Sequence, residues 1–322
     1  MNTVQHARDH LTLTRNEPDE LRDGPQLSKR AARGELVRLR RGAYIPTPFW
    51  QQATDDARYG AVLVAVRETR RREIVFSHQS AALLWGIPII GRWPAQTHLV
   101  AFGDRPAHSG NGIVWHHDRI DADDVVQLDD FLVTSIERTL LDLAKSSPFE
   151  SAVATLDHGT KATIRLPNGH PAAGVPAELL LERLKSEGPR RGCRRARLAM
   201  EFSDDRSGSP GESLSRAVIH RLGFPPPELQ TRVPHADGAD YPDFEWDELF
   251  GEFDGYAKYT REEYTRGRDM AEIVWSEKIR EDRLRSTGKG VCRWTWEVAL
   301  APDSLRRRLI GAGLRPSRAR PR

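Results

Sequence analysis

One stretch constrains this chain more than any other: ADYPDFEWDELFGEFDGYAKY, residues 239 to 259. Its apolar and acidic residues alternate with a period of two, the pattern of strands with one face turned to a core. Phe244 and Trp246 point one way, and Asp243 and Glu245 the other. Glu252 and Phe253 repeat the split. A hairpin through a two-residue turn at Asp247–Glu248 puts Trp246 opposite Leu249. Counting back from there sets Asp243 opposite Glu252, with Cβ atoms about 5 Å apart. A four-residue loop keeps the same register, and Asp254 shares the face of Glu252. Like charges directly opposite one another destabilise a sheet, so this pairing needs a compensating partner.

A divalent cation between the carboxylates would remove the conflict. Mg²⁺, with Mn²⁺ as its substitute, takes hard oxygen ligands from one or two carboxylates and completes its shell with water and phosphate. Such an ion activates water and stabilises charge on a phosphodiester undergoing displacement. Glu212, near the start of the preceding predicted helix, would add a third carboxylate. Lys258 would offer a cation to the attacking water or the phosphate. The same acids are also compatible with a solvated sheet face salt-bridged to nearby arginines, and Glu212 with an acid favoured by a helix N-terminus.

Around this stretch the expected order is α-β-β-β-α-β. PGESLSRAVIHRLGF, from Pro210, reads as a helix closed by Gly223, and ELQTRVP, YPDFEW and LFGEFDG as strands. REEYTRGRDMAEIVWSEKIREDRLRSTG reads as a long helix ending at Gly288, and GVCRWTWEV as a fourth strand. The preceding SDDRSGSPG, residues 203–211, has linker composition.

The N-terminal part has a different character. Leu27, Ala31 and Ala32 have helical spacing, with Pro25 suited to the first turn and Gly34 as a stop. ELVRLRRGAYIP then reads as a hairpin turning near Arg41–Gly42. A basic helix followed by a basic hairpin outlines a winged helix-turn-helix, with Lys29, Arg30, Arg33, Arg38, Arg40 and Arg41 placed to track phosphates. Residues 49–202 read as mixed α/β. His116 and His117, adjacent on a predicted strand, point to opposite faces and do not share a ligand easily. His78 reads as a structural residue at a helix start.

Pro242-Asp243 followed by Glu252 within this element order resembles the PD-(D/E)XK nuclease core. The run GES…LGF…PELQ…PDF…GEFDG is most similar to the branch related to very-short-patch-repair endonucleases. The resemblance implies that Asp243 and Glu252 hold the metal, that Glu212 is the helix acid and that Gln230 is an accompanying strand glutamine. The position two after Glu252, a lysine in many of these enzymes, is Asp254 here; the related branch often carries an acid there. Lys258, or Lys278 on the following helix, is the substitute cation. RGELVRLRRGAYIP, with HQSAALLWGIP and VTSIERTLLDLA after it, resembles AbiEi-type antitoxins. That resemblance implies operator binding by the winged helix and a nucleotidyltransferase-like toxin as partner.

The expected architecture is therefore mixed α/β. It comprises a winged-helix domain at 1–48, an AbiEi-like α+β domain at 49–202, a nuclease-like domain at 208–300 and a basic tail at 301–322. The net charge of +3 gives no global pull on nucleic acid, so the basic patches carry that expectation. No run approaches the ~18 apolar residues of a membrane span, and the N-terminal decapeptide lacks an apolar signal core. Cys193 and Cys292 form neither a metal spacing nor a disulfide framework. A cytoplasmic DNA-binding protein is expected, dimeric if its site is a palindrome. It would be a Mg²⁺-dependent endonuclease or, alternatively, an AbiEi-like repressor whose nuclease-like domain is an inactive scaffold.

Overall fold

The computed structural model describes residues 3–16, 24–102, 108–255 and 270–317. The chain divides into two compact units, Met1–Ser147 with Gly159–Glu201, and Pro148–His158 with Phe202–Arg322. Both mix helices with sheets.

The first unit begins with α1 (Thr3–Asp9), β1 (Thr12–Leu13), α2 (Gly24–Ala32), β2 (Leu36–Arg40) and β3 (Ala43–Pro46), then α3 (Thr47–Gln52) and α4 (Asp55–Thr69). The three strands form a sheet in the order β1-β3-β2. No domain boundary falls at residue 48. Ala7 and Ile45 share a core cluster with Ala61 of α4, and Leu13 and Ala43 share one with Ala65. Thr54 caps α4 by accepting from the Ala57 N–H, and Asp55 and Asp56 occupy its first turn, where the helix dipole favours acids.

Next come β4 (Val75–Phe76), α5 (His78–Trp85), β5 (Thr97–Val100), β6 (Ile113–His116), β7 (Val125–Leu128), β8 (Phe131–Thr134) and α6 (Ile136–Ser146). The five strands form a mixed sheet in the order β6-β5-β4-β8-β7. Ser135 caps α6 through the Arg138 N–H. The helix α7 (Phe149–Gly159) is followed by the hairpin β9 (Thr163–Arg165) and β10 (Pro171–Ala173), then α8 (Ala177–Ser186) and α9 (Cys193–Phe202).

Residues 148–158 belong to the second unit for an identifiable reason. The buried Asp157 carboxylate accepts two bonds from Arg216, at 2.9 and 2.8 Å, and one from the Asp204 N–H. The second unit otherwise starts with α10 (Pro210–Arg221), β11 (Glu228–Leu229), β12 (Val233–His235), β13 (Gly238–Asp240), β14 (Phe244–Trp246) and β15 (Leu249–Asp254). It ends with α11 (Met270–Ser286), β16 (Gly290–Thr295), α12 (Trp296–Leu300) and α13 (Pro302–Gly311). The central sheet runs β11-β14-β15-β16. β14 and β15 are antiparallel, pairing Trp246 with Leu249, Glu245 with Phe250 and Phe244 with Gly251. The register anticipated from the two-residue turn is thus the register observed. β16 lies parallel to β15, with Glu252 beside Arg293.

Three details differ from the sequence reading. β12 and β13 form their own two-stranded hairpin instead of extending β11. The last strand stops at Thr295, and Trp296 begins a helix. The expected basic tail contains α13, because Leu305 and Leu309 bury one apolar face of the arginine-rich segment. The beginning of the expected long helix, residues 261–269, lies outside the described residues. Among the described residues, no helix is long and apolar enough to cross a membrane.

Helix α10 packs on the apolar face of the sheet. Trp294 Nε1 donates to Ser215 Oγ at 2.8 Å. A Cβ at Gly211 would lie 2.0 Å from the Phe253 ring, and one at Gly251 would meet Trp294 and Trp246. Helix propensity alone makes Gly211→Ala stabilising. Packing predicts the opposite sign, a loss of about 1–3 kcal/mol, measurable by denaturant unfolding; a gain in stability would refute this account of the helix–sheet contact.

Candidate active site

The N-terminus of α10 positions the first carboxylate. Ser209 accepts from the Glu212 N–H and donates its hydroxyl to Glu212 Oε1 at 2.8 Å. The Gly208 N–H donates to Oε2 at 2.7 Å. These bonds resemble a capping box closed on itself and hold a buried glutamate in one rotamer. Gln230 then joins Glu212 to the sheet. Its backbone is left-handed, with φ 51, a conformation rare for glutamine. Its side-chain amide donates to Glu212 Oε2 at 3.0 Å and to Asp243 Oδ1 at 3.3 Å. Asp243 Oδ2 accepts the Phe253 N–H at 2.8 Å.

Continuing the β14–β15 register one step places Asp243 against Glu252. Both are buried. Among the described residues, the cation that meets Glu252 is a protein side chain. Arg280 of α11 grips Glu252 with two bonds, Nη1 to Oε2 at 2.7 Å and Nη2 to Oε1 at 2.9 Å, and also donates to the Tyr241 carbonyl. Burial pushes the Glu252 carboxyl above its ordinary pKa; Arg280 opposes this and the Asp243 charge reinforces it. Asp254 lies 3.8 Å from Arg293, which also reaches Glu277 and Glu281. The alternation of the strand identified the acids, but nothing in the local pattern marked Arg280 or Arg293 as their partners.

Of the substitute cations, Lys258 lies outside the described residues. Lys278 is exposed and sits over the Trp275 ring, away from the carboxylates. Its assignment as a site cation is corrected on that ground; Arg280, two residues on, carries the charge that faces Glu252.

In donor type the cluster fits Mg²⁺ or Mn²⁺: Asp243 and Glu252 are hard oxygen ligands, and an ion of this class leaves its other positions to water and phosphate. On Glu252, a bound ion and Arg280 compete. Glu212 is a supporting group, since among the described residues no three of these carboxylates bring ligand atoms within 4.8 Å of one another.

The N-terminal basic residues form a second feature, in the other unit. Lys29 and Arg30 are exposed on α2, and Glu35 pairs with Arg30 at 3.1 Å and Arg33 at 4.0 Å. Arg38 and Arg41 line a groove of about 1000 Å³ together with Arg15, Arg70 and Arg71, with Glu68 as its acid. Sequence reading missed Arg15, Arg70 and Arg71, because β1 and the end of α4 deliver them from outside the hairpin. Arg40 does not join this exposed set. A register shift between Arg38 and Arg40 turns it inward, and its Nε and Nη1 are buried without hydrogen bonds. Burial, then the Arg70 charge, lowers its pKa.

Arg280→Met tests the electrostatic account. Ionised Glu252 would lose its partner, at a cost of about 3–5 kcal/mol. The Glu252 pKa, already raised, would rise further, so the native state would bind its proton more tightly than the unfolded chain does. The deficit against wild type should therefore be largest at neutral pH and shrink as pH falls through the raised folded value. Denaturant unfolding of both proteins across this range reads it directly; a deficit independent of pH would show that Arg280 contributes packing alone.

No family model matches the chain, and no curated protein matches it. Among solved structures, it is similar to the crystal structure of the RV2827C protein from Mycobacterium tuberculosis, at 15% identity, with a TM-score of 0.36, over 66% of this chain and 78% of that one.

Proposed function

We propose that the protein binds DNA and that its Phe202–Arg322 unit is a metal-dependent endonuclease of the PD-(D/E)XK type, nicking or hydrolysing phosphodiesters. One observation carries the reading: the buried Asp243–Glu252 opposition, with Gln230 joining Asp243 to Glu212. The sheet order β11-β14-β15-β16, with β15 and β16 parallel and α10 on the apolar face, supports the same fold. Asp243 and Glu252 would hold the cation, which when bound supplies charge stabilisation to the phosphodiester and a more acidic water. Gln230 and Glu212 fix the Asp243 carboxylate. Asp254 orients water at the open side of the strand. Arg280 and Arg293 present positive charge to a substrate phosphate, Arg280 once Glu252 is engaged elsewhere.

DNA recognition falls to the other unit. The succession of α2, β2 and β3, with sheet order β1-β3-β2, supports a winged-helix reading. The arginine-lined groove suits phosphate contacts, which position a protein on DNA without reading its sequence. A dimer would follow from a palindromic site.

The bidentate Arg280–Glu252 pair favours a second reading, in which a guanidinium permanently replaces the metal. The protein is then an AbiEi-like repressor or antitoxin with a scaffold domain, and its partner, by that analogy, a nucleotidyltransferase-like toxin.

Nicking of supercoiled plasmid with Mg²⁺ or Mn²⁺ separates the two. Under the nuclease reading, Asp243→Asn and Glu252→Gln each abolish nicking and leave DNA affinity intact. Wild type that binds DNA but neither nicks it nor takes up either ion would establish the repressor reading. Separately, replacing Arg38 and Arg41 by alanine should weaken binding to all sequences alike. The log–log salt slope should fall by about 0.9 for each phosphate that is no longer neutralised; an unchanged slope would place the DNA surface elsewhere.

A further inference from the structure

We infer a second metal site, of zinc type, in the first unit, formed by His78, His116 and Asp118. Each residue offers a ligand atom, and the three atoms lie within 4.8 Å of one another. His78 opens α5, His116 ends β6, and Asp118 follows two residues later. The adjacent His117 is not part of the group, as its strand position requires.

The surroundings resemble the support of a metal centre more than ordinary core packing. Metal-bound imidazoles use one nitrogen for the ion and donate the other N–H to a neighbour. His116 Nε2 lies 2.9 Å from His98 Nδ1, which leaves Nδ1 of His116 for an ion. His78 Nδ1 lies 3.2 Å from Ser77 Oγ and 3.8 Å from Asp142 Oδ2, which leaves Nε2. Asp142 is 2% exposed, and its Oδ2 is a buried acceptor without a hydrogen bond. Such an atom is costly. A proton fixed on His78 Nδ1, as metallation of Nε2 requires, would lie on the side of Asp142, 3.8 Å from its Oδ2.

Two further features bear on the same assignment. His78 has a left-handed backbone, φ 50, at the first position of a helix, which aims its ring at β6. The His78 and His116 rings lie face to face, with centroids 3.5 Å apart and planes 14° from parallel. Ring-nitrogen lone pairs lie in the ring planes, so the stacked rings do not yet converge on one ion, and loading requires one of them to turn. Tetrahedral Zn²⁺, with nitrogen and oxygen ligands near 2.0–2.1 Å, needs ligand atoms about 3.3 Å apart. A turn of one imidazole out of the stack and a swing of the exposed Asp118 would close that gap. Two imidazoles and one carboxylate make a borderline donor set, suited to zinc and its first-row neighbours and poorly suited to Mg²⁺. The fourth position is left to water. Asp118 and Asp142 face the cluster, opposed by Arg138 and Lys145, of which Arg138 is engaged with Asp124 and Asp142, and Lys145 with Asp142 and Glu187.

The test uses the full-length chain, stripped with chelator and titrated with Zn²⁺ by calorimetry, and with Co²⁺ by visible absorption. The proposal expects one tight equivalent of Zn²⁺, unaffected by Mg²⁺ excess, and an intense tetrahedral Co²⁺ spectrum. Asp118→Asn, at an exposed position that folding tolerates, should weaken Zn²⁺ at least tenfold, and His116→Gln should remove the spectrum. Asp243→Asn/Glu252→Gln should leave both readouts unchanged, which separates this site from the carboxylate cluster of the other unit. No uptake by wild type, or uptake indifferent to Asp118→Asn and His116→Gln, would overturn the proposal.

Discussion

The two-residue turn at Asp247–Glu248 fixes everything that follows in the second unit. A slip of one residue in an antiparallel pair exchanges the faces of a strand. Here it would send Phe253 outward and bring Glu252 against α10, where Gly211 leaves room only for an aromatic ring. Gly251 adds a second lock, because Trp246, Phe244 and Trp294 close over the space a side chain would need. The acids therefore oppose one another as a consequence of packing on the far side of the sheet. Apolar packing holds the register, and the register delivers the charges.

Those charges are then managed by different means. Asp243 accepts from an amide side chain and a backbone N–H, and Glu252 accepts two bonds from a guanidinium. An ionised carboxylate carries a full negative charge. A carboxylate in a bidentate pair has that charge compensated already. Under the nuclease reading, the affinity of the site for a divalent ion would depend on the free-energy difference between Arg280 on Glu252 and Arg280 released toward solvent or phosphate. A DNA phosphate arriving beside α11 would offer Arg280 an alternative anion, coupling metal entry to substrate binding.

The features that were legible in the sequence are those set by neighbours in the chain. The alternation around Phe244 and Trp246 and the turn that pairs them with Leu249 and Gly251 depend on residues a few positions apart. Features set by distant neighbours were not legible. Arg280 meets Glu252 across 28 positions of chain and Asp157 meets Arg216 across 59. The arginine groove draws on Arg15, Arg38 and Arg70 from three separate parts of the chain. The histidine cluster shows the same limit. His116 and His117 were separable by strand parity, but His78, His98 and Asp142 meet only when α5, β5 and α6 pack together.

The two candidate metal clusters differ in a way that bears on how the chain is used. Oxygen donors in the Phe202–Arg322 unit select a weakly held, hydrated, exchangeable ion, appropriate where substrate must enter the coordination shell. Imidazoles with a buried carboxylate behind them select an ion held through its second shell, which exchanges slowly and contributes folding free energy. In the first unit, such an ion would tie the loop after β6 to the start of α5, on the same sheet that adjoins α4, the helix that ends beside Arg70 and Arg71. Its effect would then be to rigidify the support of the basic groove, a role in positioning that requires no chemistry of its own.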